Sequence, residues 1–318
     1  MMAVDPRATI IGVDVGGTKT AVIEGTPDAR TLHRSERPTE GHRPFGETWP
    51  QVAEQISGMI GLARSEGRSP TVISVAVGGP LVAREGRLLD PPNLTGWHGV
   101  PLAQRISERF PGFRVHVEHD AKAGALAEFR FGVGASRPSL SDMVFLTFGT
   151  GLGAGIIANG QLVRGSSEMA GEVWNLAVTA PAGSRVATCR QWERVASGRG
   201  IAELAALMQP GRWPPESATR DVVSAARAGD RYALEVVTEC GRWLGSGLGA
   251  LITILNPQVI VLGTLATLLG DLVLEPAREE VARRAEPRAR AACEILAGTL
   301  GARLGDVQSL MAAIETLR

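Results

Sequence analysis

The sequence predicts an α/β protein built from two related halves. Three observations carry that reading. Residues 10–25, IIGVDVGGTKTAVIEG, and residues 144–160, VFLTFGTGLGAGIIANG, share one grammar of apolar strand, glycine turn, apolar strand and glycine. After each unit, short apolar runs alternate with segments of helical spacing, the pattern of an α/β chain. A length of 318 residues, 44% hydrophobic, suits two domains with substantial cores.

In chain order, the first hairpin is followed by a polar, turn-rich stretch over residues 26–43. Residues 45–66 then place Trp49, Val52, Ile56, Ile60 and Ala63 on one helical stripe. TVISVAV (71–77) is a buried strand ending in Gly78-Gly79-Pro80, a sharp turn. Residues 81–100 read as a loop and 101–110 as a short helix. VHVEH (115–119) is a strand that delivers Asp120 at its carboxyl end, and a helix runs on from Ala121 to Phe131. Ligands of open α/β sheets collect at such strand ends. Asp120 is also a good helix N-cap, a role compatible with chemistry.

In the second half, VFLTF is a strand and IIANGQLV returns as its partner through Asn159-Gly160, a dipeptide suited to the positive φ of a tight hairpin. Helices are expected from about Gln191 through Trp192 to Leu207, over 219–228, and from Arg231 to about Leu255. The last of these carries glycines at 241, 245, 247 and 249. Each costs a helix roughly 1 kcal/mol against alanine, so close packing or a close ligand is implied. QVIVLG (258–263) is a buried strand, a helix with Leu272 and Val281 follows, CEILAGTL (293–300) is strand-like, and a final helix spans about Val307–Leu317.

The chain's formal net charge of +0 and pI near 7.0 give no general attraction to nucleic acid or to an anionic membrane. The most apolar stretch, Leu248 to Gly263, is broken by Asn256-Pro257 and is too short to span a bilayer. MMAVDPRATI lacks the regions of a signal peptide. The three cysteines, Cys189, Cys240 and Cys293, show no metal-binding spacing. A reduced, cytoplasmic protein is expected. Lys19 and Lys122 are the only lysines, against 33 lysines and arginines together, so both merit inspection.

The alternate glycines Gly149, Gly151, Gly153 and Gly155 let another group approach the backbone, whose N–H groups can converge on an anion. Phosphate is the obvious one, and two such hairpins suggest a nucleotide held between related domains. The plainer account is a flexible glycine-rich hairpin. A Rossmann fingerprint requires its glycines to open a helix, and a P-loop requires Gly-Lys-Ser/Thr; neither pattern is met.

Asp14-Val15-Gly16-Gly17-Thr18-Lys19, Pro92-Asn93-Leu94, Glu118-His119-Asp120-Ala121, Gly149-Thr150-Gly151-Leu152-Gly153 and Ala170-Gly171-Glu172 occur in that order. With them the chain resembles the ROK family of sugar kinases and repressors, over nearly its whole length. The resemblance implies the two-domain actin-like/hexokinase (ribonuclease H-like) fold, with a cleft between a small N-terminal domain (1–119 plus 302–318) and a larger one (120–301). It implies an ATP- and Mg²⁺-dependent kinase that phosphorylates a hexose or hexose-like hydroxyl, the 6-hydroxyl above all. Asp120 matches the family's catalytic base. Asp14 would organise Mg²⁺-ATP, with Gly16, Gly17, Thr18 and Lys19 approaching the phosphates and Thr150, Gly151, Gly153 and Gly263 holding the nucleotide from the other domain. Gly79, Asn93, His119, Glu172, Asn175 and Glu193 match sugar-facing positions. A homodimer or larger homo-oligomer is implied, with no nucleic acid or membrane partner. The alternatives are a non-catalytic sugar-binding regulator and a kinase using another phosphoryl donor, such as polyphosphate. Repressors of the family carry an extra DNA-binding domain in front; here the first strand starts near residue 9, which favours the kinase branch.

The chain departs from the family pattern at several points. Asn175 stands where most members have a zinc- or sugar-binding His, and His119 stands where they have Asn. This exchange keeps the polar inventory and points to a changed sugar preference; the alternative is a pocket that has decayed, against which the intact Asp120 argues. Trp174, beside Asn175, reads as a core residue more readily than as a sugar-stacking one. The family's cysteine-rich zinc loop is missing, with Cys189 the sole cysteine nearby, so no structural zinc is expected. The usual triple glycine after the late strand is Gly263-Thr264-Leu265.

Overall fold

A computed structural model describes residues 7–186, 189–214, 216 and 218–316. Residues 1–6, the expected helix end at Leu317 and the Cys189 side chain lie outside what is described. The chain divides into two compact units: Met1–Phe131, Arg164–Ala170 and Ala302–Arg318, and Gly132–Val163 with Gly171–Gly301.

The first unit holds strands β1 (Ala8–Val15), β2 (Lys19–Gly25), β3 (Thr31–Pro38), β4 (Ser69–Val77), the two-residue pair β5 (Leu81–Val82) and β6 (Arg87–Leu88), and β7 (Arg114–His119). Its main sheet runs in the order β3-β2-β1-β4-β7. β1, β2 and β3 form an antiparallel meander, and β4 and β7 continue parallel to β1. β1 and β4 are near-continuous apolar runs because both their faces are covered. α1 (Phe45–Ser65) and α2 (Leu102–Arg109) close one face, with Val52, Ile56 and Ile60 packed among Ile11, Val13, Ile73 and Trp97. β3 corrects the sequence reading of 26–43 as polar turns. It is an edge strand paired on one side only, with none of its residues buried, and its charged side chains mask the alternation a strand normally displays. Glu24 of β2 is fully buried, and Arg68 meets it with two hydrogen bonds of 2.6 and 2.8 Å. α3 (Asp120–Phe131) follows β7 directly.

The second unit repeats that plan. β8 (Met143–Leu146), β9 (Ala154–Ala158) and β10 (Gln161–Leu162) form a meander, and β13 (Val259–Leu262) and β14 (Glu294–Ala297) add in parallel, giving the order β10-β9-β8-β13-β14. Asn159 (φ +51°) and Gly160 (φ +75°) make the turn between β9 and β10. A side hairpin pairs β11 (Ala177–Thr179) with β12 (Cys189–Gln191). No helix begins at Gln191. Trp192–Arg194 is a single 3₁₀ turn, and α4 (Gly198–Met208) starts only where the Ser197 hydroxyl caps the Gly200 N–H at 3.1 Å. α5 (Ala218–Arg227) leads to the 25-residue α6 (Arg231–Leu255), capped at its start by the Asp230 carboxylate and ended by Asn256 at φ +45°. The α6 glycines serve packing: a Cβ on Gly245 would lie 2.4 Å from the Ala277 carbonyl, and one on Gly247 would lie 2.1 Å from the Trp192 ring. Ala277 belongs to α8 (Asp271–Arg284), which follows α7 (Thr264–Leu269); α9 (Pro287–Ala291) completes the unit.

The chain then re-enters the first unit as α10 (Leu304–Ile314), which packs on α3, β4 and β1. The expected boundary at residue 119 falls at the start of α3, and that helix lies with the first unit through its packing on α10. Among the described residues no helix is long and apolar enough to cross a membrane.

Candidate active site

In the first unit the carboxyl ends of β1, β4 and β7 lie in register, with Val15 opposite Val77 and Val77 opposite His119. That register brings three sequence-predicted stretches together: Asp14 with the Gly16–Lys19 turn, Gly78-Gly79, and His119-Asp120. The first turn is closed by the Gly16 N–H donating to the Lys19 carbonyl at 3.0 Å. Gly17 abuts the Asn93 backbone, where an added Cβ would lie 2.6 Å from the carbonyl oxygen, so Asn93 joins the group. Thr18 and Lys19 are exposed, and the Lys19 ammonium bonds Glu36 at 3.0 Å. Gly79 precedes Pro80 through a cis peptide.

Asp120 opens α3, and its Oδ2 lies 3.7 Å from where a Cβ on Gly78 would stand. Its Oδ1 accepts the Ala121 N–H at 2.6 Å and lies 3.1 Å from His119 Nδ1. The Ala121 N–H also faces Nδ1 at 3.0 Å, a bond that would need the opposite ring tautomer. The shorter contact takes that hydrogen, which leaves Nδ1–H to donate to Oδ1. Burial pushes the Asp120 carboxyl up, but the His119 bond and charge and the Ala121 amide outweigh it, so the group is held below the ordinary carboxylate range. His119, expected to face sugar, thus has one ring nitrogen committed to Asp120.

Asp14 behaves oppositely. Gln308 Nε2 of α10 donates to its Oδ1 at 2.9 Å, and a Cβ on Gly305 would crowd Oδ2 at 2.8 Å. Burial pushes the Asp14 carboxyl up to about 7, the Asp120 and Asp306 charges add to the rise, and the Gln308 bond opposes it. Gln308 lies 294 positions from Asp14, and nothing in the sequence announces the pairing.

The second unit holds the other predicted residues. Between β8 and β9 the Thr147–Gly153 turn is closed by the Thr147 N–H to the Gly153 carbonyl and the Gly153 N–H to Thr147 Oγ1, each 2.9 Å. The Gly149 N–H donates to the Gly151 carbonyl at 3.1 Å and the Leu152 N–H to Glu193 Oε2 at 3.0 Å. Several of the turn's amides are therefore already engaged, and α4 is tied to it by the Gly198 N–H on the Gly149 carbonyl at 2.7 Å. Thr150 is exposed at its apex. Gly263 is buried beneath the turn, where a Cβ would lie 2.4 Å from the Thr147 carbonyl. Glu193, matched to a sugar position, lies against Gly151 and within 3.5 Å of Arg199.

Glu172 follows Gly171, whose carbonyl accepts the Ala154 N–H of β9 at 2.8 Å. Its Oε2 accepts the Trp174 indole N–H at 2.9 Å. Trp174 is 38% exposed, which corrects its reading as a core residue: as the next residue but one it is tied to Glu172 instead of being buried. Asn175 is exposed, and its Oδ1 accepts a hydrogen bond from Gln191. Among the described residues there is no cluster of three or more His, Cys, Asp and Glu able to hold a metal.

The model described as the ROK family matches residues 10–315. The chain is 30% identical over 306 residues to a glucokinase of Halalkalibacterium halodurans, covering 92% of this chain and 90% of that one. It is 31% identical over 224 residues to a xylose repressor of Caldicellulosiruptor bescii, covering 67% and 54%. Among solved structures it is similar to the ROK family glucokinase from Streptomyces griseus in complex with glucose and AMPPNP, at 28% identity and a TM-score of 0.74, covering 95% of this chain and 97% of that one. The two repeated sheets are those of the actin-like/hexokinase fold, and the chain belongs to the ROK family.

Proposed function

We propose that the protein is a Mg²⁺- and ATP-dependent sugar kinase that transfers the γ-phosphoryl group to a hexose, with the 6-hydroxyl as acceptor. The observation that carries this is Asp120: a carboxylate at the end of a parallel strand, held ionised by His119 and the Ala121 amide, beside a glycine that leaves its second oxygen approachable. A base of that kind accepts the proton of an attacking hydroxyl. Phosphoryl transfer asks little more of the protein than positioning and charge stabilisation, so an ionised and oriented carboxylate suffices.

Asp14 fits a role toward magnesium. It offers a hard oxygen donor whose ionised form lacks full support from its surroundings, and Mg²⁺ characteristically takes one or two carboxylates together with phosphates and water. The metal would supply charge neutralisation at the phosphates; Asp14 would hold its shell, and Gln308 would hold Asp14. The backbone turns at Gly16–Gly17 and Thr150–Gly151 would approach the phosphates. Asn93, Glu172 and Glu193 are assigned to the sugar, each able to fix the direction of a hydroxyl. His119 would shape the base, and Asn175 would add an exposed amide near Glu172, so the sugar preference differs from that of members with the usual Asn and His.

The test is coupled ADP release with Mg²⁺-ATP against hexoses, amino and N-acetylated hexoses and pentoses. Turnover of one class, lost in Asp120→Asn, supports the proposal. The xylose-repressor relative favours a second reading, a sugar-binding regulator; sugar binding by thermal shift without turnover on any sugar would move the assignment there.

A further inference from the structure

Lys122 is one of two lysines in the chain, and only 3% of its surface is exposed. An ammonium is rarely taken out of water unless it is bonded, because desolvation is costly. Lys122 stands on α3, two residues after Asp120, and its Nζ donates to the backbone carbonyl of Glu168. Glu168 belongs to a seven-residue strap, Arg164–Ala170, that lies with the first unit although the chain on either side of it lies with the second. Its backbone adopts φ +66°, a conformation seldom taken by residues other than glycine. Its side chain is buried and accepts the Arg84 N–H at 3.1 Å. At the strap's start, Arg164 bonds the buried Glu118 carboxylate at 2.6 Å. The strap is thus fixed at three points around the β7–α3 junction, and two of its anchors, Glu118 and Lys122, bracket Asp120 in sequence. It ends two residues before Glu172.

We propose that Lys122 is a positioning residue for the sugar: by pinning the Glu168 carbonyl it fixes the strap from which Glu172 is presented, and so sets substrate affinity from the helix that carries the base. This rests on the sugar-kinase reading. Lys122 does not touch the reacting atoms. Its effect runs through the backbone of residues 164–172, and it belongs to sugar binding, with no part in nucleotide binding.

The experiment combines steady-state kinetics with hydrogen exchange on the full chain, using the sugar that the wild type turns over. In Lys122→Met, KM for the sugar rises at least tenfold while KM for Mg²⁺-ATP stays within twofold, and amides of 164–170 exchange at least tenfold faster with β1 and β4 unchanged. Lys122→Gln, which keeps an N–H donor, recovers part of the sugar affinity. Glu168→Ala removes the Arg84 anchor and raises sugar KM in the same direction, which keeps the test open if Lys122→Met fails to fold. A sugar KM within twofold of the wild type in the folded variants overturns the proposal. So does an equal rise in both KM values with faster exchange across α3, the signature of general loosening. If the wild type turns over no sugar, the sugar-kinase reading has failed instead; unchanged exchange at 164–170 in Lys122→Met would then separately refute the pinning role.

Discussion

Replacing Asp14 by Asn is expected to stabilise the fold while removing activity. The Asp14 carboxyl is pushed by burial from 3.8 up to about 7, so the folded protein binds a proton there that the unfolded chain releases. Between those two values the folded state carries more protons, and stability therefore falls as pH rises through the window and levels off above about 7. About three units at ~1.4 kcal/mol each sets a ceiling of roughly 4 kcal/mol, and relaxation around a partly exposed group brings the expectation to ~2–4 kcal/mol. Asn keeps an acceptor for Gln308 Nε2 and does not titrate. Thermal denaturation of both proteins from pH 4 to 8.5 reads the difference. At pH 4 the two Tm values should nearly coincide. By pH 8 the variant should be higher by about 4–8 °C, at roughly 2 °C per kcal/mol for a chain of this size. Turnover should fall at least a hundredfold, because the carboxylate expected to order Mg²⁺ is gone. A Tm gap that does not change with pH, or a variant less stable at pH 8, would refute the reasoning.

Three further outcomes are expected. His119→Asn removes the ring donor that helps hold Asp120 low, so the Asp120 pKa rises and the acid limb of the kcat/KM profile moves to higher pH; an unmoved limb would show that the Ala121 amide alone sets it. Arg68→Met leaves the fully buried Glu24 carboxylate without its two-bond partner and should cost about 3–5 kcal/mol in urea unfolding, since breaking a buried pair strands a charge. Gly247→Ala places a methyl 2.1 Å from the buried Trp192 ring and should cost about 1–3 kcal/mol in urea unfolding through overpacking.

Much of this molecule is legible in its sequence, because its signals are local. The Asn159-Gly160 hairpin, the span of α6, and Asp120 at a strand end are each announced by neighbouring residues. The repeated sheets followed from the two glycine hairpins. What stayed hidden depends on partners distant in sequence. β3 is a strand because β2 offers it an edge, and its own residues read as polar turn. Trp192 is buried by α6, so its periodicity with Leu204 imitates a helix that a 3₁₀ turn and the Ser197 cap interrupt. Asp14 meets Gln308 only because α10 returns to the first sheet. The motif around Glu193 matches a sugar position, yet its carboxylate bonds the Leu152 amide of the glycine turn, an orientation no spacing rule supplies. Lys122 carried one hint, its rarity, and that hint had no direction until Glu168 was placed.

The central claim, that Asp120 serves phosphoryl transfer from ATP to a sugar, is tested most directly by following labelled γ-phosphate from Mg²⁺-ATP into a glucose or related hexose product. Wild-type protein should convert sugar to a monoester phosphorylated at the 6-position, and Asp120→Asn, still binding sugar and folded to the same Tm within a few degrees, should transfer at least a hundredfold more slowly. Equal transfer by the two proteins would contradict the assignment of the base, and label appearing only as inorganic phosphate with every sugar would contradict the kinase itself.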